Sequence, residues 1–287
     1  MFMLKDKVVV ITGAASGIGA ALAAGMAAKG ARLMLADIDQ AGLDKVVTAL
    51  RSSGCECFGQ VTDTGNEAAI HALAVQTQAF LGAADVVINN AGVGLVAPVQ
   101  GSETSDAQWL MNINFWGVVH GCQAFLPQLR SKPEAMLVNI SSIFAMISMP
   151  TQSMYNASKA AVRGFSDALR EELRGTTVGV LCVHPGGIQT NIANKARVGD
   201  SSMIAANDQE FRDNFNKVAR TTPAQAARVI IDAIECGKTR VLIGADAKLM
   251  DFLFRLAPSR SSAWVTAIGN RLRRRENKQR NRQVSAP

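Results

Sequence analysis

Val8-Val9-Val10-Ile11-Thr12-Gly13-Ala14-Ala15-Ser16-Gly17-Ile18-Gly19 is the stretch on which the reading of this chain turns. The β-branched run from Val8 to Ile11 has the pattern of a short strand buried on both faces. It stops at Thr12-Gly13, and an Ala-rich helix is expected over 17–29, ended by Gly30. Glycines at this spacing between strand and helix fit a loop that cradles phosphate. Gly13 permits the tight turn, Gly17 clears the approach of a pyrophosphate, and Gly19 lets helix and strand pack closely. Ser16 and Ile18 belong to the same loop, where the helix start offers free N–H groups and a positive dipole end. Asp37 lies eighteen residues past Gly19, at the end of a second expected strand over 32–36. A carboxylate there accepts hydrogen bonds from both hydroxyls of an adenosine ribose and repels a 2′-phosphate. No Arg or Lys stands at position 16 or just after Asp37, so NAD is favoured over NADP.

Strand and helix patterns alternate outward from this loop. Helices are expected over 43–50, 67–80, 106–129, 155–173 and 224–234, and strands over 57–61, 85–89, 135–140, 178–183 and 240–243. Seven strands alternating with helices predict an α/β fold, a doubly wound parallel sheet with helices on both faces, because parallel strands need crossovers. No repeat or Gly/Ser-rich linker divides the chain. One catalytic domain is therefore read over 1–246, followed by an amphipathic segment and basic tail over 247–287. The longest irregular stretch, 191–222, has the length of a lid or binding segment.

Composition narrows the class. Of 287 residues 48% are hydrophobic and 18% charged, which excludes a disordered chain. The five cysteines form no CxxC pair, so neither a disulfide scaffold nor a structural zinc is expected, and a reducing cytoplasm is the expected location. The net charge of +7 is concentrated: seven basic residues against Glu276 between Arg271 and Pro287 account for +6. The body is nearly neutral, which excludes a basic nucleic-acid-binding fold. The tail lacks aromatic interleaving after Trp264, so no nucleic-acid partner is expected. The apolar start runs directly into the glycine loop, unlike a secretory signal. The charge-free stretch 135–158 carries Asn139, Ser141, Ser142, Gln152 and Asn156, polar groups that a membrane span would leave unsolvated.

Tyr155, the chain's only tyrosine, and Lys159 stand one helical turn apart on one face. A free phenol near pKa 10 is a poor acid or base at neutral pH, and a nearby ammonium lowers it. Taken with the glycine loop, Asn89-Asn90-Ala91-Gly92, Asn114, Ser142 and Pro185-Gly186, this pair stands in the order and spacing of the short-chain dehydrogenase/reductase family. Over about residues 5–245 the chain resembles the single-domain, NAD-type branch, which implies a Rossmann-type sheet. The stretches 115–119, 184–190 and 222–244 resemble a bacterial alcohol dehydrogenase subgroup linked to lipid metabolism.

The resemblance implies roles. Tyr155 would exchange the substrate hydroxyl proton during hydride transfer with a nicotinamide, while Lys159 lowers its pKa and binds the nicotinamide ribose. Ser142 would hydrogen-bond the reacting oxygen, and Asn114 would hold a water linking Lys159 to solvent. Asn90 and Ala91 would line the cofactor cleft, with Pro185, Gly186, Ile188 and Thr190 at the nicotinamide. Two departures stand out. Gln60 precedes Val61 where the family usually has an Asp against the adenine, so the acceptor there lacks charge. No glycine follows Ser142 by three residues, which implies a more crowded, apolar wall.

Phe144, Met149 and Met154 bracket the Ser142–Tyr155 interval without a charge, and predict a lipophilic alcohol, ketone or aldehyde as substrate. Core filling is the other reading of the same residues. The helices over 106–129 and 155–173 resemble the family's intersubunit faces and imply a homodimer or homotetramer. Apolar residues between Leu249 and Ile268, beside the Arg cluster, fit either a neighbouring subunit, which is the commoner case, or an anionic membrane surface. The function expected is that of an NAD-dependent alcohol dehydrogenase or ketoreductase. An NADP-dependent carbonyl reductase is the near alternative. A non-catalytic NAD sensor is the remote one, and it should have lost Tyr155 or Lys159.

Overall fold

A computed structural model describes residues 2–200 and 219–267. The chain runs β1 (Val8–Thr12), α1 (Gly17–Ala28), β2 (Arg32–Asp37), α2 (Gln40–Ser52), β3 (Cys57–Val61), α3 (Glu67–Leu81) and β4 (Val86–Asn89). It continues through β5 (Leu95–Val96), α4 (Thr104–Met111), α5 (Gly117–Arg130), β6 (Ala135–Ile140), α6 (Ser153–Glu172), β7 (Val178–Pro185) and β8 (Arg197–Val198). The described part closes with α7 (Pro223–Glu235), β9 (Arg240–Ile243) and α8 (Ala245–Leu256), followed by a helical run over 261–267.

Seven strands form one parallel sheet in the order β3-β2-β1-β4-β6-β7-β9, the doubly wound arrangement expected. Period-2 alternation splits the strand residues between two cores. Val9, Ile11, Leu33, Leu35 and Ile88 pack beneath α1, α2 and α7, whereas Val8, Val10, Met34 and Val87 pack beneath α3, α5 and α6. The chain order reverses between β1 and β4, and the crevice outside their carboxyl ends is where such sheets bind ligands.

Three features were not read from the pattern. The single helix expected over 106–129 is α4 and α5 joined by a π-helical turn, Asn112–Trp116, which carries Asn114 inward. β5 and β8 form a separate two-stranded parallel ribbon, so the stretch read as irregular over 191–222 contains a strand at Arg197–Val198; its residues 201–218 lie outside the described residues. The boundary drawn at 246 falls inside α8, whose Ala247 is fully buried with Ile143 and Met146. The Arg cluster over 271–282 also lies outside the described residues.

Candidate active site

The crevice is a cleft of about 400 Å³ whose wall runs from Gly13 and Asp37 to Ser142, Tyr155 and Lys159. At the β1–α1 end the wall is mostly main chain. Gly13 adopts φ 66°, and a Cβ there would stand 2.8 Å from Ala91 Cα. A Cβ at Gly19 would come within 2.1 Å of the Gly13 carbonyl oxygen, so that position accepts hydrogen alone. Thr12 Oγ1 accepts from Asn90 N–H at 3.0 Å and Ala91 N–H at 3.1 Å, and Asn90 Nδ2 donates to Thr12 O at 2.8 Å. Those bonds tie the end of β4 to the glycine loop. Asp37 accepts from Ala15 N–H and Asp39 N–H, both at 2.9 Å, which fixes its carboxylate at the crevice edge.

The β6–α6 end is built from buried side chains. Ser141 Oγ donates to Lys159 O at 2.8 Å, and Asn156 Nδ2 donates to Phe144 O at 2.7 Å and Ile147 O at 2.9 Å. The loop after β6 is thereby stitched to the first turns of α6. The Ser142 side chain pulls on the Tyr155 phenol, and the Tyr155 ring meets Phe144 edge-on at 6.2 Å. Lys159 Nζ donates to Ile140 O at 3.1 Å and lies 5.9 Å from the Tyr155 ring centre.

Burial governs both titrations. It pushes the Tyr155 phenol up to about 12, against the opposing pull of Ser142, and pushes Lys159 down to about 8. The phenol therefore moves opposite to the sequence expectation, because desolvation outweighs the pull of Ser142. Asn114 is fully buried off the cleft wall. Its Oδ1 accepts from Val93 N–H at 2.8 Å, and its Nδ2 faces Val93 O at 3.0 Å and Ser158 Oγ at 3.2 Å. A Cβ at Gly92 would stand 3.3 Å from Asn114 Oδ1 and 3.4 Å from Lys159 Nζ, so the glycine keeps a gap between them.

The family model for short chain dehydrogenases matches residues 7–200. The chain belongs to that family. Among its relatives, oxidoreductase SadH of Mycobacterium tuberculosis is 40% identical over 270 residues, 93% of this chain and 96% of SadH. Dehydrogenase/reductase SDR family member 7B of Xenopus tropicalis is 31% identical over 278 residues, covering 94% and 88%. A solved short-chain dehydrogenase/reductase from Burkholderia phymatum, in complex with NAD, superposes with a TM-score of 0.81 at 31% identity, covering 90% of this chain and 98% of that one.

In this short-chain dehydrogenase the cleft wall includes Gly13, Ser16, Gly17, Ile18, Asp37, Asn90, Ala91, Ser142, Phe144, Tyr155, Lys159, Pro185, Gly186, Ile188 and Thr190. Gly19 and Asn114 sit behind it. Gln60 and Val61 do not line it: they are strand residues of β3, and the crevice lies beyond the strand ends, where Thr62, Asp63 and Thr64 form the wall. Gln60 Oε1 is buried without a hydrogen-bond partner. Met149 and Met154 also fall outside. The phase of α6 turns Met154 onto Leu95, Ala97 and Leu110, and Met149 N–H is held by Asn156 Oδ1 at 3.4 Å. The apolar wall comes instead from Leu95, Val96, Ile192 and Met250. Asp246 was also missed: it accepts from Gly187 N–H at 2.7 Å and so holds the loop after β7. An acid at the start of α8 carries no spacing signal relative to Tyr155, so only the fold reveals it.

Proposed function

We propose that this oxidoreductase interconverts a lipophilic alcohol and its ketone or aldehyde with NAD, Tyr155 serving as acid and base. The crevice suits that cofactor. No side chain caps the first turn of α1 and no acid stands in it, so its N–H groups are free for a pyrophosphate. Asp37 suits a ribose diol and disfavours a 2′-phosphate. Pro185, Gly186, Ile188 and Thr190 would hold the nicotinamide end. Bound NAD supplies the hydride acceptor for oxidation, and its reduced form the donor for reduction.

The observation that carries the proposal is the Ser142–Tyr155–Lys159 group at the far end of that crevice, Ser142 and Lys159 buried and Tyr155 partly so. Ser142 orients the reacting oxygen and stabilises charge developing on it. Tyr155, protonated in this state, gives its proton to a carbonyl, and in the reverse direction takes the proton of a hydroxyl. Below about pH 8 Lys159 is charged and favours the phenolate form. Asn114, through the gap at Gly92, would position a water beside Lys159 Nζ. Phe144, Leu95, Val96, Ile192 and Met250 favour an apolar substrate body. A homo-oligomer formed through α4–α5 and α6, with Trp116 47% exposed on the π turn, belongs to the same reading. So does a reducing cytoplasm, given five free thiols.

A panel of alcohols and ketones followed by NADH absorbance tests the proposal. Hydrophobic secondary or long-chain alcohols are expected to exceed short polyols in kcat/KM by at least roughly tenfold, as one or two buried methylenes suffice to produce. A preference for the polyols would sink the substrate assignment.

A further inference from the structure

Helix α8 has two unlike faces. Inward, Ala247 is fully buried, Asp246 holds Gly187, and Met250 reaches the cleft wall. Outward, Leu249, Phe252 and Leu256 are 57%, 60% and 66% exposed. Steps of three and four residues place them along one stripe of the helix. Trp264, in the helical run over 261–267, adds an indole that is 38% exposed. Scattered apolar residues need no explanation on a protein surface, but a stripe on one segment does.

Charge indicates what covers the stripe. From residue 245 onward the chain holds ten basic residues and three acidic ones, the whole of its net charge of +7. Two of those acids are turned inward, Asp246 to Gly187 and Asp251 to Arg240 and Arg255. Lys248 and Arg260 are exposed beside the apolar residues, as is Arg255 on its ion pair with Asp251. Arg163 of α6 lies over the Phe254 ring and is ion-paired with Asp167 at 3.8 Å, so the cations that face outward come from the C-terminal segment itself.

We propose that this face docks on an anionic lipid bilayer, the stripe entering the interface while the basic residues meet the headgroups. The contact lies on the membrane: among the described residues no helix is long and apolar enough to cross one. A second copy of the chain is a poorer occupant, because a symmetric pair sets Lys248, Arg255 and Arg260 against the same cations. Nucleic acid would satisfy the charge and leave the stripe uncovered. Docking also brings the Met250 side of the cleft towards the lipid, a route by which a lipophilic alcohol enters. That last consequence rests on the substrate reading above; the docking itself does not.

The test is co-sedimentation of the full chain with vesicles of phosphatidylcholine alone, and with about a third phosphatidylglycerol added. The parent is expected to bind the anionic vesicles, weakly at high salt, and to ignore the neutral ones. Replacing Leu249→Ser, Phe252→Ser and Leu256→Ser together should cut binding at least roughly tenfold without moving the melting temperature. Neutralising Arg273, Arg274 and Arg275 to Gln should cost roughly fivefold per residue. Should the triple variant fail to fold, Phe252→Glu alone must produce the same direction of loss. The proposal is overturned if the parent does not bind. It is equally overturned if the stripe variants bind like the parent, or if they change only self-association in light scattering. Because no turnover is read, failure of the alcohol panel and failure of this test remain distinguishable.

Discussion

The two ends of the cleft are made of different material. At the β1–α1 end the wall is backbone, kept bare by Gly13 and tied down by Thr12 and Asn90, with one carboxylate at its edge. At the β6–α6 end it is a set of buried side chains, each held by another: Ser141 on Lys159 O, Asn156 on the Ser142 loop, Lys159 on Ile140 O. Backbone N–H groups keep the same charge at any pH, so the first end is suited to holding a fixed anion. Buried titratable groups shift by units when a neighbour arrives or leaves, so the second end is suited to moving a proton. Binding and chemistry are thus separable by mutation.

Tyr155→Phe is the sharpest way to break that separation. It removes one oxygen at the chemical end and nothing at the binding end. Turnover should fall by roughly 10²–10⁴-fold, the usual worth of a positioned acid–base group, while NADH affinity by fluorescence titration stays unchanged. A variant that keeps more than about a tenth of parental turnover would remove Tyr155 from the mechanism.

The binding end is probed by Asp37→Ser combined with Ile38→Arg. Ile38 is 68% exposed at the cleft rim, so an arginine there meets solvent on one side and a 2′-phosphate on the other. Serine keeps an acceptor for Ala15 N–H. The NAD to NADP ratio of kcat/KM should move by roughly 10²-fold towards NADP, about 2.7 kcal/mol, with kcat on the preferred cofactor little altered. An unchanged ratio would mean that Asp37 serves only the loop.

The same contrast explains what was legible in the chain itself. The binding end is local: strand, glycines and Asp37 lie within one βαβ unit, and their positions follow from spacing. Tyr155 and Lys159 were legible because one helical turn pairs them, and Ser142 through the resemblance to the short-chain dehydrogenase/reductase family. Met154 was misplaced because its direction depends on where α6 begins, at Ser153 rather than Tyr155. Gln60 was misplaced because β3 extends through it and puts the wall at Thr62. Met250 and Asp246 reach the site only because α8 folds back, a tertiary fact without local pattern.

The smallest expected effect lies behind the chemical end. His184 is almost fully buried at the end of β7, its Nδ1 3.2 Å from the Ser142 carbonyl oxygen, and burial pushes its pKa down to about 4. Arg240 and Arg163 push in the same direction, while the Ser142 carbonyl and Asp167 oppose them. In the unfolded chain the imidazole takes its proton near 6.5. Between those two values the unfolded state binds more protons than the folded one, so stability falls as the pH is lowered from 6.5 towards 4. Above 6.5 both states are neutral and the dependence vanishes. At pH 5.5 the loss should be about 1.4 kcal/mol relative to pH 7.5, and His184→Gln should flatten that part of the urea-denaturation profile. The Tyr155→Phe protein should retain the slope, since the phenol it lacks is neutral throughout this range in the parent, folded or unfolded. An equal slope in the His184→Gln protein would place the acid sensitivity elsewhere in the fold.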